Sequence, residues 1–145
     1  MSAEFFLDSN VLVYQLDTRD RRKHAIADSV VGDAIATGNG CISFQVAQEC
    51  LNVVLRKAEV RLDAAQASAW FDIVLAPLMT VGSSADLYRS AIDLQRRTKF
   101  GFHDSLVVAG ALQAGCSTLL TEDLQHGQRI GSLRIVDPFR RDGAR

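Results

Sequence analysis

Short apolar runs alternate along the chain with longer segments whose apolar residues recur every three or four positions. Strands and helices that alternate in this way build α/β domains with a mainly parallel sheet. Phe5-Phe6-Leu7 opens the series as a buried strand, and residues 11–14 follow as a short helix. Ile26, Val30, Val31 and Ile35 mark one stripe of a helix over about 21–37, which Gly38-Asn39-Gly40 stops. Cys41-Ile42-Ser43 is the second strand, with a helix over about 44–58 behind it. Asp63 is placed to cap a helix carrying Trp70, Phe71 and Leu75, which Pro77 is expected to close. Met79-Thr80-Val81 is the third strand, and Ser83 or Ser84 caps the helix of Leu87, Tyr88, Ala91, Ile92 and Leu94. Positions 105–114 are almost all apolar or small, which describes a helix buried on most sides, and Gly115 ends it. Residues 118–121 and 133–136 supply the last two strands.

Bulk properties narrow the picture. A chain of 145 residues, 48% hydrophobic and 23% charged, is an ordinary globular domain. Its formal net charge of −1 supplies no global positive field to attract a polyanion. Nucleic acid would have to be held by local patches or through a cation. No apolar stretch approaches the ~20 residues of a membrane span, and the N-terminus has no secretory pattern, so a cytoplasmic protein is expected. Cys41, Cys50 and Cys116 are widely separated and lie in apolar contexts, which suits buried free thiols.

Four carboxylates then stand out by position. Ligands of open parallel sheets bind at the carboxyl ends of the strands. Asp8 directly follows the first strand, and Asp123 follows the fourth after one residue. Each is also placed for a plain structural task, Asp8 as a helix cap and Asp123 in a turn. Glu49 shares a helix face with Val46 and Val53, where an unpaired charge is costly; a buried ion pair or a metal accounts for it. Asp104 opens the most apolar helix, where the helix dipole lowers its pKa and keeps it ionised, either as a cap or as a ligand. An oxygen-only set suits Mg²⁺ or Mn²⁺, and no His/Cys cluster competes. Clustered carboxylates around such a cation are machinery for phosphodiester hydrolysis.

Four segments carry a resemblance: 7–12 (LDSNVL), 42–49 (ISFQVAQE), 102–109 (FHDSLVVA) and 119–124 (LLTEDL). In order and spacing they resemble the acidic motifs of PIN-domain ribonucleases, with the VapC-type toxins of bacterial toxin–antitoxin pairs as the best match. The resemblance implies a three-layer α/β/α domain over 1–139, with residues 140–145 as a tail, and a parallel five-stranded sheet ordered 3-2-1-4-5. It implies a pocket of Asp8, Glu49, Asp104 and Asp123 holding Mg²⁺ or Mn²⁺. Asp8 and Asp104 are then the firmest ligands, Asp123 completes the site directly or through water, and Glu49 orients water. RNA as substrate, a cognate antitoxin and a homodimer are implied as partners. Ser9 stands where the family more often has threonine, and Ser105 replaces a commoner alanine; Thr121 fits the small polar residue usual before the last acid.

Ser9, Asn10, Lys99 and Thr121 are the candidate substrate contacts. Two basic runs, residues 19–24 and the group Arg96, Arg97 and Lys99, are solvated faces or phosphate grips, the second being nearer Asp104. His103 is expected to be a hydrogen-bonded structural residue. Trp70, Phe71 and Tyr88 are expected in the core or a dimer face rather than as base-stacking platforms. The competing readings are a receiver-like signalling module and a non-catalytic RNA-binding module. A receiver needs a second acid after strand one and a late lysine, but Ser9 and Asn10 follow Asp8 and no lysine follows Lys99.

Overall fold

The computed structural model describes residues 3–141. The strands are β1 (Phe5–Leu7), β2 (Gly40–Ser43), β3 (Met79–Val81), β4 (Thr118–Leu120), β5 (Arg129–Ile130) and β6 (Leu133–Val136). The helices are α1 (Ser9–Val13), α2 (Arg21–Thr37), α3 (Phe44–Arg56), α4 (Ala64–Trp70), α5 (Ala76–Leu78), α6 (Ala85–Arg97) and α7 (Phe102–Gln113). The sheet runs β3-β2-β1-β4-β6-β5. The five parallel strands stand in the expected order, with 133–136 as the fifth. The addition is β5, which pairs antiparallel with β6. Gly131, at φ 59°, makes this possible, because a two-residue hairpin turn needs a left-handed position that glycine adopts freely.

Consecutive strand residues point to opposite faces, and β1 shows which helix covers each. A Cβ on Gly110 of α7 would lie 3.4 Å from the Phe6 ring. A Cβ on Gly40 would lie 3.2 Å from Leu7 and only 2.5 Å from the Cβ of Ala34 on α2. Phe6 and Leu7 are both fully buried, so α7 and α2 cover opposite faces and three layers result.

Two local expectations are revised and a third, the choice between two caps, is resolved. Pro77 does not close its helix: α4 continues through a five-residue π turn (Phe71–Leu75) into α5, where Pro77 occupies a first-turn position. The π turn closes with the Ala76 N–H bonded to the Phe71 carbonyl, and the helix ends one residue after Pro77, at Leu78. The helix expected from 105 begins at Phe102, with Gly101 as its cap, which puts Asp104 in the first turn instead of at the cap. Ser84, not Ser83, caps α6 by accepting from the Leu87 N–H at 3.0 Å. Phe139 is buried and meets Tyr14 edge to face, so the ordered body reaches at least that residue. Residues 142–145 of the expected tail lie outside the described residues.

Candidate functional site

β1 and β4 are paired in parallel, Leu7 opposite Leu120, and the Asp8 N–H extends the ladder to the Leu120 carbonyl at 3.0 Å. The next residues on the two strands, Asp8 and Thr121, therefore stand side by side. Thr121 Oγ1 donates to Asp8 Oδ2 at 2.9 Å, and the Ser9 N–H donates to Oδ1 at 2.7 Å. Asp8 is 4% exposed. Burial pushes its carboxyl up from 3.8 to about 6, against the two hydrogen bonds, with the charges of Glu49 and Asp123 adding to the rise.

Thr121 is a junction. While donating to Asp8 it accepts from the Asp123 N–H and from Asn10 Nδ2, each at 3.1 Å. Asn10 Nδ2 also donates to Asp123 Oδ2 at 3.0 Å, and Asn10 Oδ1 accepts from the Glu122 N–H at 3.3 Å. Asn10 on α1 thus pins the loop after β4.

Glu49 does not sit on a sealed apolar face. Its side chain is 35% exposed, and Oε1 accepts from Ser9 Oγ at 2.8 Å and faces His103 Nε2 at 3.1 Å. Gln45, one turn earlier on α3, donates to the His103 carbonyl at 3.2 Å and lies 3.1 Å from His103 Nδ1. A single neutral tautomer of His103 satisfies both contacts, its Nε2–H donating to Glu49 and its Nδ1 accepting from Gln45. His103 is bonded as expected, but to the site and not to a remote scaffold. The spacing of Gln45 and Glu49 on one helix face was the available signal for this link.

Asp104 is half-buried, and no described protein group donates to its carboxylate. Its pKa is raised, opposite to the expectation from the helix dipole. Burial is the main cause, reinforced by the charges of Asp123 and Glu49 and opposed by His103. Asp8 and Asp104 therefore each feel Glu49 and Asp123, although among the described residues no three His, Cys, Asp or Glu side chains are grouped so as to hold a metal ion. The free oxygens are both of Asp104, one of Asp123 and one of Glu49. An all-oxygen set of like charges with unused acceptors fits a hard divalent cation.

The basic runs are largely spent elsewhere. Arg19 pairs with Asp17, and Lys23 pairs with Glu122 at 2.7 Å beneath the rings of Tyr14 and Phe139. Arg96 and Arg97 share Asp93, which leaves Lys99 as the cation of the second group without an ion pair among the described residues. Trp70 is in the core as expected; Tyr88 is 38% exposed and is not.

The family description of the PIN domain matches residues 5–129. No curated protein sequence matches the chain. Among solved structures, the chain is similar to the sarcin–ricin-loop-cleaving toxin VapC20 of Mycobacterium tuberculosis, at 20% identity over 80% of this chain and 87% of that one, TM-score 0.58. It is similar to a chain of DNA-bound VapBC from Salmonella typhimurium, at 16% identity over 94% and 98%, TM-score 0.66. A chain of a toxin–antitoxin complex from Klebsiella pneumoniae matches at 18% identity over 93% and 98%, TM-score 0.64. At such identities the likeness speaks for a shared fold.

Proposed function

The chain belongs to the PIN-domain family, and from that premise we propose that it is a VapC-type toxin. In this reading it is an endoribonuclease that depends on Mg²⁺ or Mn²⁺ and is held in check by a cognate antitoxin. The observation that carries the reading is the convergence of four carboxylates in which half-buried Asp104 has no described protein donor. A partly buried carboxylate facing the like charges of Asp123 and Glu49 gains when a cation shares it.

Asp104 and Asp123 would hold the cation through their unused oxygens, and Asp8 through the second lone pair of an oxygen that already accepts one hydrogen bond, with Glu49 adjoining. When bound, the cation supplies Lewis-acid stabilisation of the charge that builds on the phosphate and the leaving oxygen. The chain's own residues then have distinct tasks. Thr121 and the Ser9 amide fix the Asp8 carboxylate, and Asn10 fixes Asp123. Ser9 and His103 hold one oxygen of Glu49, leaving the other to take a proton from attacking water. In the same reading Lys99 would meet phosphate charge.

The antitoxin partner is supported by the recurrence of this fold in toxin–antitoxin complexes. A homodimer and a cytoplasmic location belong to the same reading, and no helix of the described residues is long and apolar enough to cross a membrane. The test is cleavage of RNA with Mn²⁺ or Mg²⁺, with new 5′ ends mapped. EDTA should stop it, and Asp104→Asn should slow it by about a hundredfold or more with the circular dichroism unchanged. Cleavage that survives both treatments sinks the reading; RNA bound but uncut points instead to a non-catalytic RNA-binding module.

A further inference from the structure

Beside the acidic site lies a second feature that shares Glu49 and His103 with it. α3 turns Gln48, Glu49 and Asn52, which share one helical face, toward a groove of about 640 Å³. The opposite wall is Tyr88 from α6 with Phe102 and His103 from the start of α7. The two rings lie nearly parallel, at 9° with centroids 6.4 Å apart, and each is 38% exposed. Large aromatic surface left in water in this way is a cost unless something covers it.

We propose that this groove is a nucleobase subsite, in which one base of a single-stranded RNA stacks on the Tyr88–Phe102 pair while Gln48 and Asn52 address its edge. The proposal rests on the nuclease reading of the neighbouring acids and names the part of the substrate that reading left open. Glu49 and His103 line both the groove and the acidic site, so a strand whose backbone passes the acids has an adjoining base to place here. No lysine or arginine lines the groove, which suits a neutral aromatic base and not a phosphate. The edge-reading groups are available: Gln48 has no partner among the described residues, and Asn52 uses only Oδ1, to accept from Arg56 at 3.1 Å. A protein partner with an apolar face would strand those amides, whereas a base edge satisfies them. Every base offers a π face, so the rings supply affinity and the amides supply preference.

Short RNAs carrying 2-aminopurine at one position at a time would be mixed with the full chain and Mn²⁺ in a stopped-flow instrument. One position should show fluorescence quenching before cleavage. Tyr88→Leu should abolish the quench and raise KM about tenfold with kcat little changed, and Tyr88→Phe, which keeps the ring, should restore both. Gln48→Ala with Asn52→Ala should flatten the base preference next to the cut. Quenching and KM that survive Tyr88→Leu overturn the subsite, as does loss of a dimer on sedimentation with that variant, since a second copy would then be the occupant. Cleavage that persists in Asp104→Asn sinks the nuclease reading, whereas cleavage lost in Asp104→Asn but indifferent to Tyr88→Leu sinks the subsite alone.

Discussion

The same strands end in two different environments. At their carboxyl edge Asp8, Ser9, Ser43 and Thr121 are buried polar residues: Thr121 and the Ser9 amide bond Asp8, and Ser43 caps α3 by accepting from the Val46 N–H at 3.3 Å. At their amino edge Gly40, Cys41 and Cys116 are packed close, with Ala34 pressed against Gly40 and the two thiols 3.4 Å apart. A cavity of about 370 Å³ adjoins Cys41 there, yet no carboxylate lines it. One edge therefore gives up stability to keep charge buried, and the other is where close packing holds α2 against the sheet. A cavity alone does not identify the chemistry; the cost of the groups around it does.

The sharpest way to break this contrast is to neutralise the polar edge. Asp8→Asn should remove most RNA cleavage, about a hundredfold or more, while making the metal-free protein more stable at neutral pH. The direction follows from its raised pKa. A folded carboxyl at about 6, against 3.8 when unfolded, binds its proton more tightly in the native state. Its contribution is complete below pH 4, is lost as pH rises through 6, and amounts to roughly 3 kcal/mol. Urea melts of both proteins between pH 4 and 7.5 should show this fall in the wild type and not in the variant. A wild type that gains stability relative to the variant as pH rises would contradict the placement of Asp8.

A smaller effect is expected at the amino edge. Gly40→Ala places a methyl 2.5 Å from Ala34 Cβ and should cost about 1–3 kcal/mol in chemical denaturation, with kcat unchanged in the folded fraction. The smallest belongs to Cys116→Ala, which deletes one buried sulfur and should cost roughly 0.5–1.5 kcal/mol without altering cleavage. If either amino-edge change lowered kcat as strongly as Asp8→Asn, the two edges would not be functionally separate.

Much of this molecule was legible along the chain, and the parts that were not share a cause. Apolar periodicity fixes β1 and α2 to the residue, and Asp63 caps α4 as its position promised, Gln66 completing the reciprocal bond. Local signals suffice there because capping and amphipathic burial act over a few residues. The short strand Arg129–Ile130 escaped notice because two residues carry no period, and Pro77 misled because a π turn upstream relieved it.

The four acids themselves could be picked out in one dimension by their placement at strand ends and helix faces. Their states could not. The helix terminus alone predicts a lowered pKa for Asp104, whereas burial, with the charges of Asp123 and Glu49, raises it, and desolvation is a property of the assembled surroundings. Glu49 seemed buried on an apolar face until α7 brought His103 to it and α1 brought Ser9. Asn10 gained its role from Thr121 and Asp123, more than a hundred residues later. Sequence by itself determined which residue types stand at which strand ends, since backbone periodicity is local. Only the tertiary structure decided which oxygens are already satisfied and which remain unused, because hydrogen-bond partners and dielectric come from segments that meet only after folding.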